Sequence, residues 1–73
     1  MKSKVKKMND AIYCPIYKCY RDQVKVGETV AIMKGRLIIA GKVVKQGNSF
    51  YARATRRFFY VLRDGEEVEI KKM

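Results

Sequence analysis

The chain overlays on itself. Sliding it by 38 positions sets residues 1–35 over 39–73 without a gap, and nine pairs are identical: Lys4/Lys42, Val5/Val43, Lys7/Lys45, Tyr13/Tyr51, Gly27/Gly65, Glu28/Glu66, Val30/Val68, Ile32/Ile70 and Lys34/Lys72. Ordinary composition gives about two such matches over a comparison of that length. The pairs Ile12/Phe50, Lys18/Arg56, Tyr20/Phe58, Val24/Leu62 and Lys25/Arg63 keep similar chemistry in the same register. The repeat divides a single domain, residues 1–73, into unit one (1–35) and unit two (39–73). Any fold for this chain must be one that the same pattern can build twice.

Each unit reads as strand, turn, strand, short helical segment, turn, strand. The first strand is Ser3–Met8 or Lys42–Gln46, and the second is Ala11–Cys14 or Phe50–Ala54. Between them lie Asn9-Asp10 in unit one and Gly47-Asn48-Ser49 in unit two. Gly and Asn tolerate positive φ, so Gly47-Asn48 is a chemically motivated turn. In the strand after it, Phe50, Ala52 and Ala54 form the inward set by alternation, with Arg53 facing out. The segments Ile16–Val24 and Thr55–Leu62 follow, the second with an apolar stripe at Phe58, Phe59 and Leu62. Pro15 suits the first turn of the segment in unit one, where its missing N–H costs nothing. Turns at Gly27 and Gly65 lead to the last strands. Glu66–Ile70 alternates cleanly with Val68 and Ile70 inward, whereas Thr29–Met33 carries Ala31 and Met33 on its other face and reads as the more covered strand. Lys34-Gly35 is expected to turn into Arg36–Ala40. Nothing after Met73 corresponds to that stretch, so an unpaired edge is expected in unit two, blunted by the charges of Glu66, Glu67, Glu69, Lys71 and Lys72.

A chain of 73 residues buries only about 60% of the surface its unfolded form exposes. Its hydrophobic content of 48% nevertheless marks it as globular. Seventeen basic against seven acidic residues give a formal charge of +10. That charge repels itself unless a polyanion neutralises it, so nucleic acid is the first candidate partner and an anionic membrane surface the second. No apolar run approaches the roughly 20 residues that span a bilayer, and no signal-peptide pattern opens the chain. A cytoplasmic location is expected. Cys14 and Cys19 have no His to join them, which is too few ligands for structural zinc and excludes Cys–His catalysis. Both are expected as free thiols in a reducing compartment. The carboxylates gather on one alternating strand instead of converging on a site, so an enzyme is not expected, nor a metal or cofactor.

Gly41–Ser49 followed by Asp64–Ile70 resembles the AbrB/MazE swapped-hairpin (SpoVT-AbrB) family of DNA-binding regulators and antitoxins. Unit two carries that family's Gly-Asn-Ser turn and its Gly-Glu-x-Val strand. Unit one keeps the family's proline, Pro15, twelve residues before Gly27. Family members are homodimers whose hairpins interlock into one barrel with a basic face laid on DNA. The resemblance therefore implies a mainly β fold: a small pseudo-two-fold swapped-hairpin β-barrel with one or two short helices, closed within one chain. A further homodimer with a doubled basic face is allowed by the same reading. By motif position the DNA face would hold Lys45, Gln46, Asn48 and Arg53. Their unit-one mates are Lys7, Met8, Asp10 and Pro15, of which Asp10 and Pro15 are poor phosphate binders.

The charges alone add Lys42, Arg56 and Arg57 to this face, with Lys4, Lys6 and Lys7 from unit one. From Lys42 to Arg63 the chain carries basic residues and no acid. Gln46 and Asn48 have the groups that read adenine edges. The aromatic Phe50, Tyr51, Phe58, Phe59 and Tyr60 interleave with the charges and serve as core or as base-stacking groups. The expected function is a DNA-binding protein, a small transcriptional regulator or chromatin-like protein holding duplex DNA on a basic β-face. Two other readings fit the same residues. One is an antitoxin-like module that binds a protein partner, with Asp64, Glu66, Glu67 and Glu69 as its interaction edge. The other is a small Sm- or KOW-like RNA-binding barrel.

Overall fold

The computed structural model describes the backbone of residues 1–73 and every side chain except that of Arg56. The strands are β1 (Lys2–Lys4), β2 (Lys6–Met8), β3 (Ala11–Ile16), β4 (Thr29–Lys34), β5 (Leu37–Gln46), β6 (Ser49–Ala54) and β7 (Glu67–Lys72). They form one antiparallel sheet in the order β1-β7-β4-β5-β6-β3-β2. Only Val5 separates β1 from β2, so the two ends of that order belong to one run of chain. The Val5 N–H donates to the Glu66 carbonyl at 2.8 Å and its carbonyl accepts from the Gly65 N–H at 2.7 Å. The sheet thereby returns on itself and all but closes into a barrel.

The repeat is written into the pairing. Adding 38 to the bounds of β3 gives those of β6, and adding it to β4 gives β7. The hairpin pairs Lys6↔Tyr13 and Lys7↔Ile12 become Val44↔Tyr51 and Lys45↔Phe50. Pairing between units follows the same rule: Ser3↔Val68 on β1 and β7 becomes Gly41↔Val30 on β5 and β4. A pseudo-two-fold axis passes through Cys14↔Ala52 at one pole and Ile32↔Ile70 at the other. Each unit's first strand thus pairs with its own second strand and with the other unit's last strand. The two hairpins are interlocked.

The core is the inward set of this barrel. Ile12, Cys14 and Ile16 of β3 meet Val30, Ile32, Ile39, Val43, Ala52, Ala54, Val68 and Ile70, with Val5 and Leu62 completing the cluster. The alternation expected for Phe50–Ala54 holds: Ala52 and Ala54 are buried, Phe50 packs against the core, and Arg53 is exposed. On β4, Ala31 is buried while its counterpart Glu69 is exposed, as expected of the more covered strand. At Gly41 a Cβ would lie 2.8 Å from Ile32 Cδ1, beside the axis. Its counterpart Ser3 is buried with room for a hydroxyl, which donates to the Pro15 carbonyl at 2.8 Å. Both hairpin loops have two residues. Asn9 and Asp10 sit at φ 51° and 61°, and Gly47 at φ 60°, the left-handed geometry that matches strand twist.

Several expectations are corrected. The turn expected at Lys34-Gly35 lies at Gly35-Arg36, and the stretch after it runs on as one ten-residue strand, β5 (Leu37–Gln46). The counterpart of β5's first half is β1 at the other end of the sequence, so β7 has neighbours on both sides and unit two has no unpaired edge there. Pro15 lies inside β3, not at a helix start. In an extended residue N–H and C=O point the same way, and Pro15's carbonyl faces Ser3. Its missing N–H is therefore turned away from the β6 ladder. The helical segments shrink to 3-10 turns, Lys18–Gln23 and Arg56–Phe58, because neither has the length to hold an α-helix.

Candidate nucleic-acid interface

Directly opposed residues on neighbouring strands project from the same face. Following the register across β2, β3, β6, β5 and β4 gives one outer row: Lys6, Tyr13, Arg53, Lys42, Thr29. Strands about 4.8 Å apart place its three cations within about 14 Å. Lys6, Arg53 and Lys42 are exposed, while the Tyr13 ring between them is buried at 5% exposure.

Tyr13 gives the row its rigidity. Its ring packs edge-on against Tyr51, centroids 5.8 Å apart at 86°. Its hydroxyl accepts from Arg53 Nε at 3.1 Å, and the guanidinium lies 5.8 Å from the ring centroid. With Nε committed, the guanidinium's outer edge remains for an oxyanion in a fixed plane. Among the described residues the ion pairs are Lys2–Glu67 (3.9 Å), Lys34–Glu66 and Lys72–Glu28 (3.5 Å). The row takes no part in them.

The remaining expected site residues are spread around the barrel. Lys4 stands opposite Glu67 on the same outer surface. Lys7 is drawn to one end, its ammonium 4.8 Å from the Phe59 ring centroid and its N–H bonded to Asp64 at 2.9 Å. Arg57 lies near Phe58 at 5.9 Å, and the Arg56 side chain is outside the described residues. Lys45, Gln46 and Asn48 belong to the opposite end, since β3 and β6 are antiparallel and their hairpin turns point apart. There Lys45 and Arg21 flank Phe50 at 5.8 and 5.2 Å. The structure thus joins Lys6, Lys42 and Arg53 and separates them from Lys45, Gln46 and Asn48.

Two participants were missed in the sequence. Tyr13 was visible as the identical mate of Tyr51. Arg21 lies in the short helical segment Ile16–Val24, which suggested no site residue; its Nε is buried without a hydrogen-bond partner. The stacking role of the aromatics narrows as well. Phe58 packs on the core, Phe59 lies under Lys7, and Phe50 is flanked by cations. Tyr60, at 78% exposure, is the ring most open to solvent.

Two of the acidic residues brace the turns before β4 and β7. Glu28 and Glu66 accept from the Lys25 and Arg63 N–H groups at 3.0 and 2.8 Å, and each pairs with a lysine of the other unit. Among the described residues no three metal-ligating side chains gather, and no helix is long and apolar enough to cross a membrane. No protein-family model, curated protein or solved structure matches the chain.

Proposed function

We propose that the chain is a duplex-DNA-binding module, a small transcriptional regulator or chromatin-like protein, and a single-chain form of the AbrB/MazE swapped-hairpin architecture. The observation that carries this reading is the outer row of Lys6, Arg53 and Lys42, free of carboxylates and braced by Tyr13. A solvated charged surface gains from mixed signs; a row of like charges held in register costs self-repulsion and suits a polyanion. The interlocked pairing of the two units supports the architectural part. With Phe58 packed on the core and Phe50 and Phe59 covered by cations, phosphate contacts are favoured over base stacking, hence duplex over single strand. Lys4, Arg57 and Lys45 extend the footprint from the row towards both ends.

The test is duplex binding under a salt titration, with scrambled-sequence, single-stranded and RNA competitors. Five to eight phosphate contacts give a slope of log K against log[salt] of about −4 to −7. A slope shallower than about −2, or preferential release by single strands or RNA, overturns the duplex reading.

A further inference from the structure

The two barrel ends are built on the same backbone and closed differently. At the end served by unit two, Leu62 is buried at 1% exposure and Phe58 packs against the core beside it. The corresponding positions in unit one are Val24, which is half-buried, and Tyr20, which is 36% exposed. The shorter side chain and the turned-out ring leave a cavity of about 340 Å³. Ile16, Val24 and Ile70 give it apolar walls, and Tyr20, Lys71 and Lys72 stand at its polar side. No acidic residue lines it, although Glu28 pairs with Lys72 from outside at 3.5 Å.

The geometry points to a binding site for a small amphipathic monoanion, an aliphatic or aromatic carboxylate with a chain of roughly eight carbons or a two-ring system. A cavity of about 150 Å³ lined by aliphatic and aromatic residues holds benzene, so this one takes a body about twice that size. The volume lies within the range of small-molecule sites, about 300–1,000 Å³. Two ammonium groups beside an apolar floor set the sign of the head group. Lys71 takes part in none of the ion pairs among the described residues and is the group that would meet the carboxylate. Its counterpart in the repeat is Met33, and the counterpart of Val24 is Leu62. The filled end thus lacks both the space and this charge. This proposal does not rest on the nucleic-acid reading, because none of the residues lining the cavity belongs to the outer row or to its extension.

Titration calorimetry of the whole chain with octanoate, octanol and octylamine tests it. Octanoate is expected to bind saturably at one site, octanol roughly five-fold more weakly as the exposed charge contact is lost, and octylamine not at all. Val24→Phe fills the space as Leu62 does at the other end and is expected to abolish octanoate binding while circular dichroism shows an intact fold. Lys71→Gln, at an exposed position, is expected to bring octanoate down to the level of octanol. Absence of saturable octanoate binding overturns the site. Equal binding of octanoate and octanol overturns the ligand class. Unchanged octanoate binding by a folded Val24→Phe overturns the location.

Discussion

Units one and two share a backbone and differ in what they present. Val5, Val30 and Ile32 match Val43, Val68 and Ile70 because all six fill the barrel. Glu28 and Glu66 match, as do Lys34 and Lys72, because each glutamate fixes its own turn and pairs with a lysine of the other unit. The outward positions diverge. The row Lys6, Tyr13, Arg53, Lys42, Thr29 has as its mate Val44, Tyr51, Pro15, Lys4, Glu67, in which a valine, a proline and a glutamate replace two cations and a threonine. One barrel end is plugged by Leu62 and the other is left open beside Val24. Symmetry is kept at these barrel residues and Glu–Lys pairs, and lost at three of the five outer-row positions and at the plug of one end.

The strongest way to break this comparison is to separate the units. Cleavage at Gly35-Arg36 removes the covalent link at the β4–β5 hairpin but leaves every other strand pair possible. Because each unit's first strand completes the other's sheet, neither half is expected to fold alone. An equimolar mixture is expected to recover the strand signal in circular dichroism. If each half folds and the two stay apart in size-exclusion chromatography, the interlocked barrel is wrong.

Next in size is the contrast between the two ends. Leu62→Ala removes a fully buried side chain and is expected to cost about 2–5 kcal/mol in urea unfolding. Val24→Ala, at a half-filled end, is expected to cost less than about 1 kcal/mol. Equal losses would mean that the ends are packed alike and that the cavity is not retained in solution.

The repeat and the alternation made the barrel legible, since both are local patterns in sequence. Its closure came from the family resemblance and not from the local patterns, because it depends on β1 meeting β7 from opposite ends of the chain. Gly41 lies mid-strand in β5, where a Cβ would meet Ile32 Cδ1 at 2.8 Å, a contact that no local pattern announces. Pro15 read as a helix start on local grounds, and only the neighbouring strands show which side its missing N–H faces. The basic run from Lys42 to Arg63 reads in sequence as one continuous face. Its residues belong to opposite barrel ends, while the compact row recruits Lys6 from the other unit, and no sequence window contains both.

The outer row can be compared with a paired lysine elsewhere on the barrel in DNA binding. Lys6→Ala and Lys42→Ala are each expected to reduce the salt slope by about 1 with uniform weakening across sequences, and to change stability by no more than about 0.5 kcal/mol. Arg53→Ala is expected to weaken binding further. It also leaves the buried Tyr13 hydroxyl without its partner, which adds a stability loss of about 1 kcal/mol. Lys34→Ala, paired with Glu66, is the control and should leave the slope unchanged. If Lys34→Ala weakens binding as much as Lys42→Ala does, the footprint is diffuse and the row has no special part in it.

The narrowest contrast between the units lies on the axis itself, where Cys14 faces Ala52 and the pseudo-symmetry is broken by one sulfur atom. Cys14 is fully buried, and that burial pushes its thiol pKa up from 9.0 to about 12. Cys19 is exposed. A thiol reagent at neutral pH should therefore react at once with one cysteine and reach the second only on unfolding. At neutral pH both the folded and unfolded chains keep the Cys14 proton, so its ionisation does not alter stability there. Above about pH 9 the unfolded thiol ionises while the folded one is held neutral. The unfolded state then binds fewer protons, and stability falls as pH rises towards 12. The informative quantity is the difference between wild type and Cys14→Ala, which isolates this thiol. That variant makes the axial pair Ala–Ala and should cost about 1 kcal/mol at pH 7 from the lost sulfur. Its deficit should shrink as the pH is raised from 9 to 11, because the alanine has no proton to lose. Parallel curves would show that the sulfur at the axis is not shielded from solvent and that the barrel opens at this pole.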